Sequence, residues 1–293
     1  MAAPLIRKLA VFGVGLIGGS FALALKKAGA VGEVVGVGRS LSNLGDAYKL
    51  GIIDEVVSKP AEAVAGADMV LLAVPVGQMP AVMAAIAPHL GPDTVVTDAG
   101  STKQDVLGYA RSHLAKHLSR FVPAHPIAGA EKAGAGAASA ELYQGRNVVV
   151  TPMAENDPAA VARVKDAWAA CGAVVREMTP QSHDEVFAAV SHLPHLLAFA
   201  LVDDIAGKPN AVELFSYAAS GFRDFTRIAG SSPEMWRDIS LANREALLKE
   251  LDAYRAQLER LRTALEAGDG AALEQIFTRA SRARNAWAGG EKQ

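Results

Sequence analysis

One cysteine, Cys171, is all that the 293 residues contain. That excludes an intrachain disulfide framework and fits a reducing compartment. A single cysteine in an apolar stretch reads as a packed core residue. Excess charge of one sign is also missing. With 29 Lys and Arg against 31 Asp and Glu, the formal net charge is -2, which gives no electrostatic reason to expect nucleic acid as a partner. An acidic small molecule would have to be met by a local basic pocket. Uninterrupted apolar runs are missing too. Residues 9–25 follow Arg7 and Lys8 like the core of an export signal, but glycines and Ser20 interrupt them, and no small-residue cleavage site precedes Lys26 and Lys27. Residues 186–202 are apolar but hold Ser191, His192, Pro194 and His195, and they fall short of the roughly 20 residues of a bilayer span. Both stretches are expected to be buried parts of a soluble, cytoplasmic protein that makes no membrane contact.

Short β-branched runs alternate with helical patterns over residues 1–180, which is the signature of a parallel sheet with crossover helices. Strands are expected at 9–13, 33–37, 69–74, 95–98, 121–124, 148–151 and 174–178. Helices are expected at 16–28, 79–90, 102–117 and 158–171. Several of the strands are continuously apolar, as when helices cover both faces. Strands are absent from the reading beyond Pro180, where helix formers dominate and breaks fall at 207–210, near 230–233 and at 268–270. Ser232 as cap with Pro233 in the first turn starts one helix. Residues 236–265 then carry leucines at helical spacing beside Arg/Glu pairs. The expected division is a dinucleotide-binding α/β domain over 1–180 and an all-α domain over 181–293.

Gly13-Val14-Gly15-Leu16-Ile17-Gly18 follows the first strand and opens the first helix. Gly13 permits the tight turn, Gly15 lets the backbone approach a pyrophosphate, and Gly18 lets helix and strand pack closely. The free N–H groups at the helix start, Leu16 and Ile17 included, favour phosphate. This is a Rossmann-type dinucleotide turn. Val74 and Pro75, leaving the third strand, belong to the same cofactor edge. An acid is missing at the end of the second strand, where a ribose-binding Asp or Glu usually stands; the residues are Gly38-Arg39-Ser40. Arg39 can pair with a 2′-phosphate and Ser40 can hydrogen-bond to it, so NADP is favoured, with NAD as the alternative.

Four further motifs carry polar chemistry. Asp98-Ala99-Gly100-Ser101-Thr102-Lys103 leaves a strand at its carboxyl end, where ligands of open α/β sheets bind, so Ser101 is placed near a nicotinamide or caps the helix expected to start at Thr102. His125-Pro126-Ile127-Ala128-Gly129-Ala130-Glu131 lies at another such end. Oxidation of an alcohol needs a proton acceptor, and an imidazole with an ordinary pKa near 6.5 suits that role. In Ser191-His192-Leu193-Pro194-His195 the proline should kink a helix, and the two histidines share a face. A metal pair with His183 as third ligand lacks a spaced carboxylate or thiolate, so polar groups lining a cleft is the better reading and no metal is expected. In Gly221-Phe222-Arg223-Asp224-Phe225-Thr226-Arg227 two arginines can hold carboxylates or form helix-end salt bridges.

In this order and spacing, GVGLIGGS at 13–20, DAGSTK at 98–103, HPIAGAEKAG at 125–134, SHLPH at 191–195, GFRDFTRIA at 221–229 and PEMWRD at 233–238 resemble the prephenate/arogenate (cyclohexadienyl) dehydrogenase family. The resemblance implies a Rossmann domain followed by a helical dimerisation domain, hence a homodimer formed through the C-terminal helices. It also implies an oxidative decarboxylation of a small-molecule substrate, prephenate and/or arogenate, on the route to tyrosine. By the same resemblance His125 is the base and Ser101 its hydrogen-bonding partner. His195 and Arg227 bind substrate, Glu131 contacts substrate or gates entry, and Trp236 reaches toward a neighbouring subunit's cleft. Two other readings of the residues stand beside it: a non-catalytic NAD(P)-binding sensor, and a β-hydroxyacid-type dehydrogenase, which would want a catalytic lysine on a helix.

Overall fold

The computed structural model describes residues 3–129 and 134–290. It divides into two compact units, Met1–Arg244 and Glu245–Gln293. In the first, β1 (Ile6–Phe12) leads through the glycine turn into α1 (Leu16–Lys27), and then follow β2 (Val31–Val37), α2 (Leu41–Lys49), a two-residue β3 (Glu55–Val56), α3 (Pro60–Val64) and β4 (Met69–Leu72). Next come α4 (Met79–Ile86), β5 (Val95–Asp98), α5 (Gln104–His113) and β6 (Phe121–Val122). These strands form one sheet in the order β3-β2-β1-β4-β5-β6, and every pair in it is parallel. The apolar runs bury both faces. Leu9 and Val11 of β1 enter one core with Met69 and Leu71 of β4, while Ala10, Phe12, Val70 and Leu72 enter the other.

The strand expected at 121–124 is split. Pro123 has no N–H to continue the ladder, so β6 ends at Val122 and the chain enters a second sheet as β7 (Ala124–Pro126). That sheet has the order β7-β8-β9, with β7 antiparallel to β8 (Asn147–Val150) and β8 parallel to β9 (Val174–Glu177). Between β8 and β9 lies α6 (Pro158–Ala170), whose Trp168 packs against Phe21 and Tyr143 with ring centroids 4.4 and 5.1 Å apart. Cys171 is buried and unbridged in the same core.

Beyond Pro180 the described residues are helical: α7 (Pro180–Phe187), α8 (Leu193–Ala206), α9 (Ala211–Ser216), α10 (Ser220–Thr226), α11 (Pro233–Ala242), α12 (Arg244–Glu266) and α13 (Gly270–Gly290). Ser232 caps α11, and the breaks at 207–210, 230–233 and 268–270 fall between helices. The residue pattern over 236–265 is interrupted at Asn243, which the leucine spacing did not reveal. A π-helical turn, Ala188–His192, joins α7 to α8 just before Pro194, so the helical run Pro180–Ala206 continues through the proline and is not broken there. This run is long and apolar enough to cross a bilayer by length and composition. Its His183, Asp184 and His192 are buried and hydrogen-bonded inside the first unit, but only 28% of its most apolar window is buried, so the expectation that residues 186–202 are buried holds only in part.

Candidate active site

The parallel register sets the site. Phe12, Leu72 and Asp98 lie side by side at the carboxyl ends of β1, β4 and β5, so the loops that follow emerge along one edge. A cleft of about 600 Å³ opens there, at the switch point where the chain leaves β1 toward one side and β4 toward the other. Of the residues expected to hold a dinucleotide, Gly13, Gly15, Arg39, Ser40, Val74 and Pro75 line it. Leu16 instead borders a neighbouring hollow with Ile127 and Arg146, the Ile17 carbonyl accepts from the Tyr143 hydroxyl at 2.6 Å, and Gly18 lies beneath the turn.

The glycines are explained by space. Gly13 has φ +95°, and a Cβ there would stand 2.4 Å from the Ala73 carbonyl oxygen; one on Gly18 would stand 2.3 Å from the Gly13 oxygen. A Cβ on Gly15 would meet nothing within 4 Å, which leaves room at the N-terminus of α1 for a phosphate to approach the backbone. Asn43 ties the turn to the far wall, donating to the Val14 carbonyl at 2.6 Å and accepting from Ala135 N–H at 2.8 Å. Ser40 caps α2 by accepting from Asn43 N–H at 3.2 Å. The Gln78 side-chain amide faces both terminal nitrogens of Arg39, at 3.2 and 3.0 Å, and accepts from them when turned with its oxygen toward the guanidinium.

Next along the edge, Asp98 and Lys103 form a fully buried ion pair. The pair substitutes for a strand neighbour at the start of β7. Asp98 accepts from Ala124 N–H at 3.2 Å, and the Lys103 ammonium donates to the Ala124 carbonyl at 2.8 Å. His125, half-buried, is thus carried on a backbone held from both sides. Lys103 is wholly enclosed, so it is not the reachable helix lysine of a β-hydroxyacid-type site.

Behind His125 stands α7. Its fully buried His183 places Nε2 2.8 Å from His125 Nδ1, and its Nδ1 2.8 Å from Asp184 Oδ1. Asp184 also accepts from the N–H groups of Lys103 (2.8 Å) and Gln104 (2.9 Å). It therefore caps α5, a job the sequence reading offered to Ser101: the helix begins at Gln104, not at Thr102. Phe187 packs on both imidazoles, with centroids 4.9 Å from His125 and 4.5 Å from His183. Burial, reinforced by any charge on His183 and by the Lys103 cation, pushes the His125 pKa well below its ordinary value. Burial also lowers His183, outweighing the Asp184 hydrogen bond. For Asp184 burial alone would act upward, but the His183 and backbone hydrogen bonds hold its carboxyl below the usual range.

The SHLPH histidines lie together but do different things. His192 is buried, and its Nδ1 meets the Asn243 amide at 3.0 Å, an amide that also donates to the Asp184 carbonyl at 2.8 Å. Burial takes its pKa down to about 4. The Ser101 carbonyl lies close enough to favour its charged form, but His192 Nε2 has no partner of normal hydrogen-bond geometry. His195 donates from Nδ1 to the Ser191 carbonyl at 2.9 Å, leaving Nε2 as acceptor, and its ring stacks on Trp236 at 3.6 Å. Burial lowers its pKa, and the neighbouring exposed Arg227 adds to that. Trp236 is nine-tenths buried and stacks on His195 of its own chain. Glu131, with Ala130, lies outside the described residues. Among the described residues no group of three His, Cys, Asp or Glu side chains is arranged for a metal ion.

Residues 21–177 match the model of the prephenate dehydrogenase nucleotide-binding domain, and residues 179–279 match that of the prephenate dehydrogenase dimerization domain. The chain belongs to the prephenate dehydrogenase family. It is similar to cyclohexadienyl dehydrogenase of Zymomonas mobilis subsp. mobilis, with 39% identity over 280 residues that span 95% of each protein. Prephenate dehydrogenase from A. aeolicus, solved in complex with hydroxyphenyl propionate and NAD+, superposes with a TM-score of 0.88 at 34% identity, covering 98% of this chain and 99% of that one. Synechocystis arogenate dehydrogenase gives 0.79 at 29% identity, covering 96% and 100%. The fold and family expected from the sequence therefore hold.

Four side chains that the sequence reading left without a role belong to the site: Asp98 and Lys103 beneath β7, and Asp184 and Asn243 behind the histidines. His183 was weighed there only as a metal ligand. Asp98 and Lys103 sit inside a quoted motif, so the signal was present. Asp184 and Asn243 have no local pattern that could have marked them.

Proposed function

We propose that this family member catalyses the NAD(P)-dependent oxidative decarboxylation of prephenate and/or arogenate to 4-hydroxyphenylpyruvate and/or tyrosine, in tyrosine biosynthesis. One observation carries the assignment of chemistry. On β7 stands His125, an imidazole kept neutral by burial, whose only side-chain hydrogen bond among the described residues is through Nδ1. Its Nε2 is the acceptor for the proton of the ring hydroxyl. A nicotinamide held at the cofactor edge would supply the acceptor for the hydride that leaves the carbinol carbon. The C–CO2 bonding pair then moves into the ring, CO2 leaves, and aromatisation makes acid help at the departing carboxylate unnecessary.

The remaining assignments follow the same reading. Ser101, on the loop beyond β5, hydrogen-bonds at the reacting hydroxyl. His195 Nε2 and Arg227 bind substrate, with Arg227 taking a carboxylate, and Glu131 contacts substrate or gates entry. Gly13, Gly15 and the N–H groups of Leu16 and Ile17 hold the pyrophosphate, with Gly18 supporting the turn and Val74, Pro75 and Ser101 flanking the nicotinamide side. Arg39 and Ser40 take a 2′-phosphate, which makes NADP the preferred cofactor. The Arg39 guanidinium faces the neutral Gln78 amide, a neighbour that leaves its charge available. The domains divide near residue 180. A homodimer forms through the C-terminal helices, where Val212, Tyr217, Leu265 and Trp287 are exposed apolar residues. The setting is cytoplasmic.

Purified protein with prephenate or arogenate and NAD+ or NADP+ should reduce nucleotide in at least one of the four combinations, read at the absorbance of the reduced cofactor. His125→Asn should lower kcat by roughly 10²-fold or more while nucleotide binding stays unchanged. No turnover in any combination refutes the reaction; unchanged turnover in the variant removes His125 as base.

A further inference from the structure

A neutral imidazole exists as two tautomers, and only one of them leaves Nε2 of His125 free to take a proton. The surroundings decide between them. Asp184 is ionised and can only accept; two of its donors are backbone N–H groups, those of Lys103 and Gln104, so its orientation is set by the start of α5. His183 is fully buried, so water does not replace a missing donor. Its Nδ1, 2.8 Å from Asp184 Oδ1, must carry the hydrogen. Being neutral, the ring then presents a lone pair at Nε2. His125 Nδ1, 2.8 Å away, must donate to it, and His125 Nε2 is bare. The opposite tautomer would set two lone pairs against each other in a buried contact.

We propose that His183, held by Asp184, is a positioning residue for the proton transfer: through the two-imidazole chain it keeps His125 as the Nδ1–H tautomer and steadies the cation formed when Nε2 takes the hydroxyl proton. The inference rests on the reading of His125 as base. Once His125 is protonated its Nδ1–H donor is charge-assisted, and His183 Nε2 is the acceptor already in place. Packing does not require this arrangement. Phe187 covers both rings, and a phenyl ring at 183 would fill the same space without a polar atom.

Side-chain length separates the two halves of the chain. His183→Gln places an amide where Nε2 stood and keeps an acceptor for His125; His183→Asn keeps only the donor toward Asp184; His183→Phe keeps neither. With whichever substrate is turned over, kcat should fall on the order of 10²-fold in the Asn and Phe variants and stay within roughly 10-fold of the parent in the Gln variant. KM and nucleotide affinity should be unchanged. Equal losses in all three variants, or a loss confined to KM, overturn the proposal. Nitrogen-15 NMR of the unaltered protein reads the tautomer directly and depends on no variant folding: His125 should show a bare Nε2 and a protonated Nδ1. A protonated Nε2 overturns the relay even if the enzyme is fully active. If no substrate is turned over, the functional reading fails separately, and the nitrogen shifts alone decide whether the relay exists.

Discussion

The buried Asp98–Lys103 pair offers the sharpest test of how the site is supported. Both side chains are completely enclosed, and together they hold the N–H and the carbonyl of Ala124, one residue before His125. Lys103→Met conserves most of the volume but leaves a carboxylate in the core with only the N–H groups of Gly100 (2.7 Å) and Ala124 (3.2 Å) to stabilise it. Removing one partner of such a pair costs about 3–5 kcal/mol, because the other charge stays buried without compensation. In a unit of this size each kcal/mol moves Tm by roughly 2–4 °C, so a fall of roughly 6–20 °C is expected. The double variant Asp98→Asn/Lys103→Met removes both charges and keeps one acceptor for Ala124. It should be more stable than the sum of the two single losses predicts by about 2 kcal/mol or more. Urea unfolding of the four proteins, followed by circular dichroism, closes the cycle. A Lys103→Met loss below about 1 kcal/mol, or losses that simply add, would refute the claim that the two charges compensate each other.

Acid should destabilise the protein through the buried histidines. His192 is held near 4 when folded against about 6.5 when unfolded, so the unfolded chain binds the proton more readily and stability falls as pH drops from 6.5 to 4. The loss from His192 alone is about 3 kcal/mol, and the lowered His125 and His183 act in the same direction. Denaturant midpoints across that range should therefore fall steeply, and less so in His192→Gln; identical slopes would sink the assignment. Arg39→Asp should weaken NADP+ by roughly 10–100-fold, the worth of a charge-assisted contact, and spare or improve NAD+, as read by titration of each nucleotide. An unchanged ratio of the two affinities would remove Arg39 as the discriminating residue.

What was legible in the sequence is what a local pattern can carry. The glycine turn announces itself because Gly13 and Gly18 sit where a Cβ would collide with backbone a few residues away or on the adjoining strand. The parallel sheet shows in the alternate burial of Leu9 and Val11 against Ala10 and Phe12, which makes β1 apolar throughout. The two-residue β3 carries too little pattern to register, and the split at Pro123 became clear only once Asp98 was seen to replace the ladder partner of Ala124. Ser101 was a reasonable cap from spacing alone. It lost that place to Asp184, 80 or more positions away, because the tertiary fold supplies a better acceptor to the N–H groups of Lys103 and Gln104.

The same distance explains why the histidine chain was not legible. His125 and His183 are 58 residues apart and sit on different elements, and neither is flanked by a pattern that names the other. A histidine on α7 reads by itself as an ordinary core or cleft residue. Its meaning comes from two constraints that only the fold joins: Asp184 is fixed by the start of α5, and β7 is fixed by Asp98 at the end of β5 and by Lys103 just before that helix. Residues 98–104 thus hold both ends of the chain, the strand that carries His125 and the carboxylate that orients His183. A displacement of that segment would disturb both the strand that carries His125 and the carboxylate that orients His183. Substitutions there that leave the nucleotide cleft intact should therefore lower turnover before they weaken nucleotide binding.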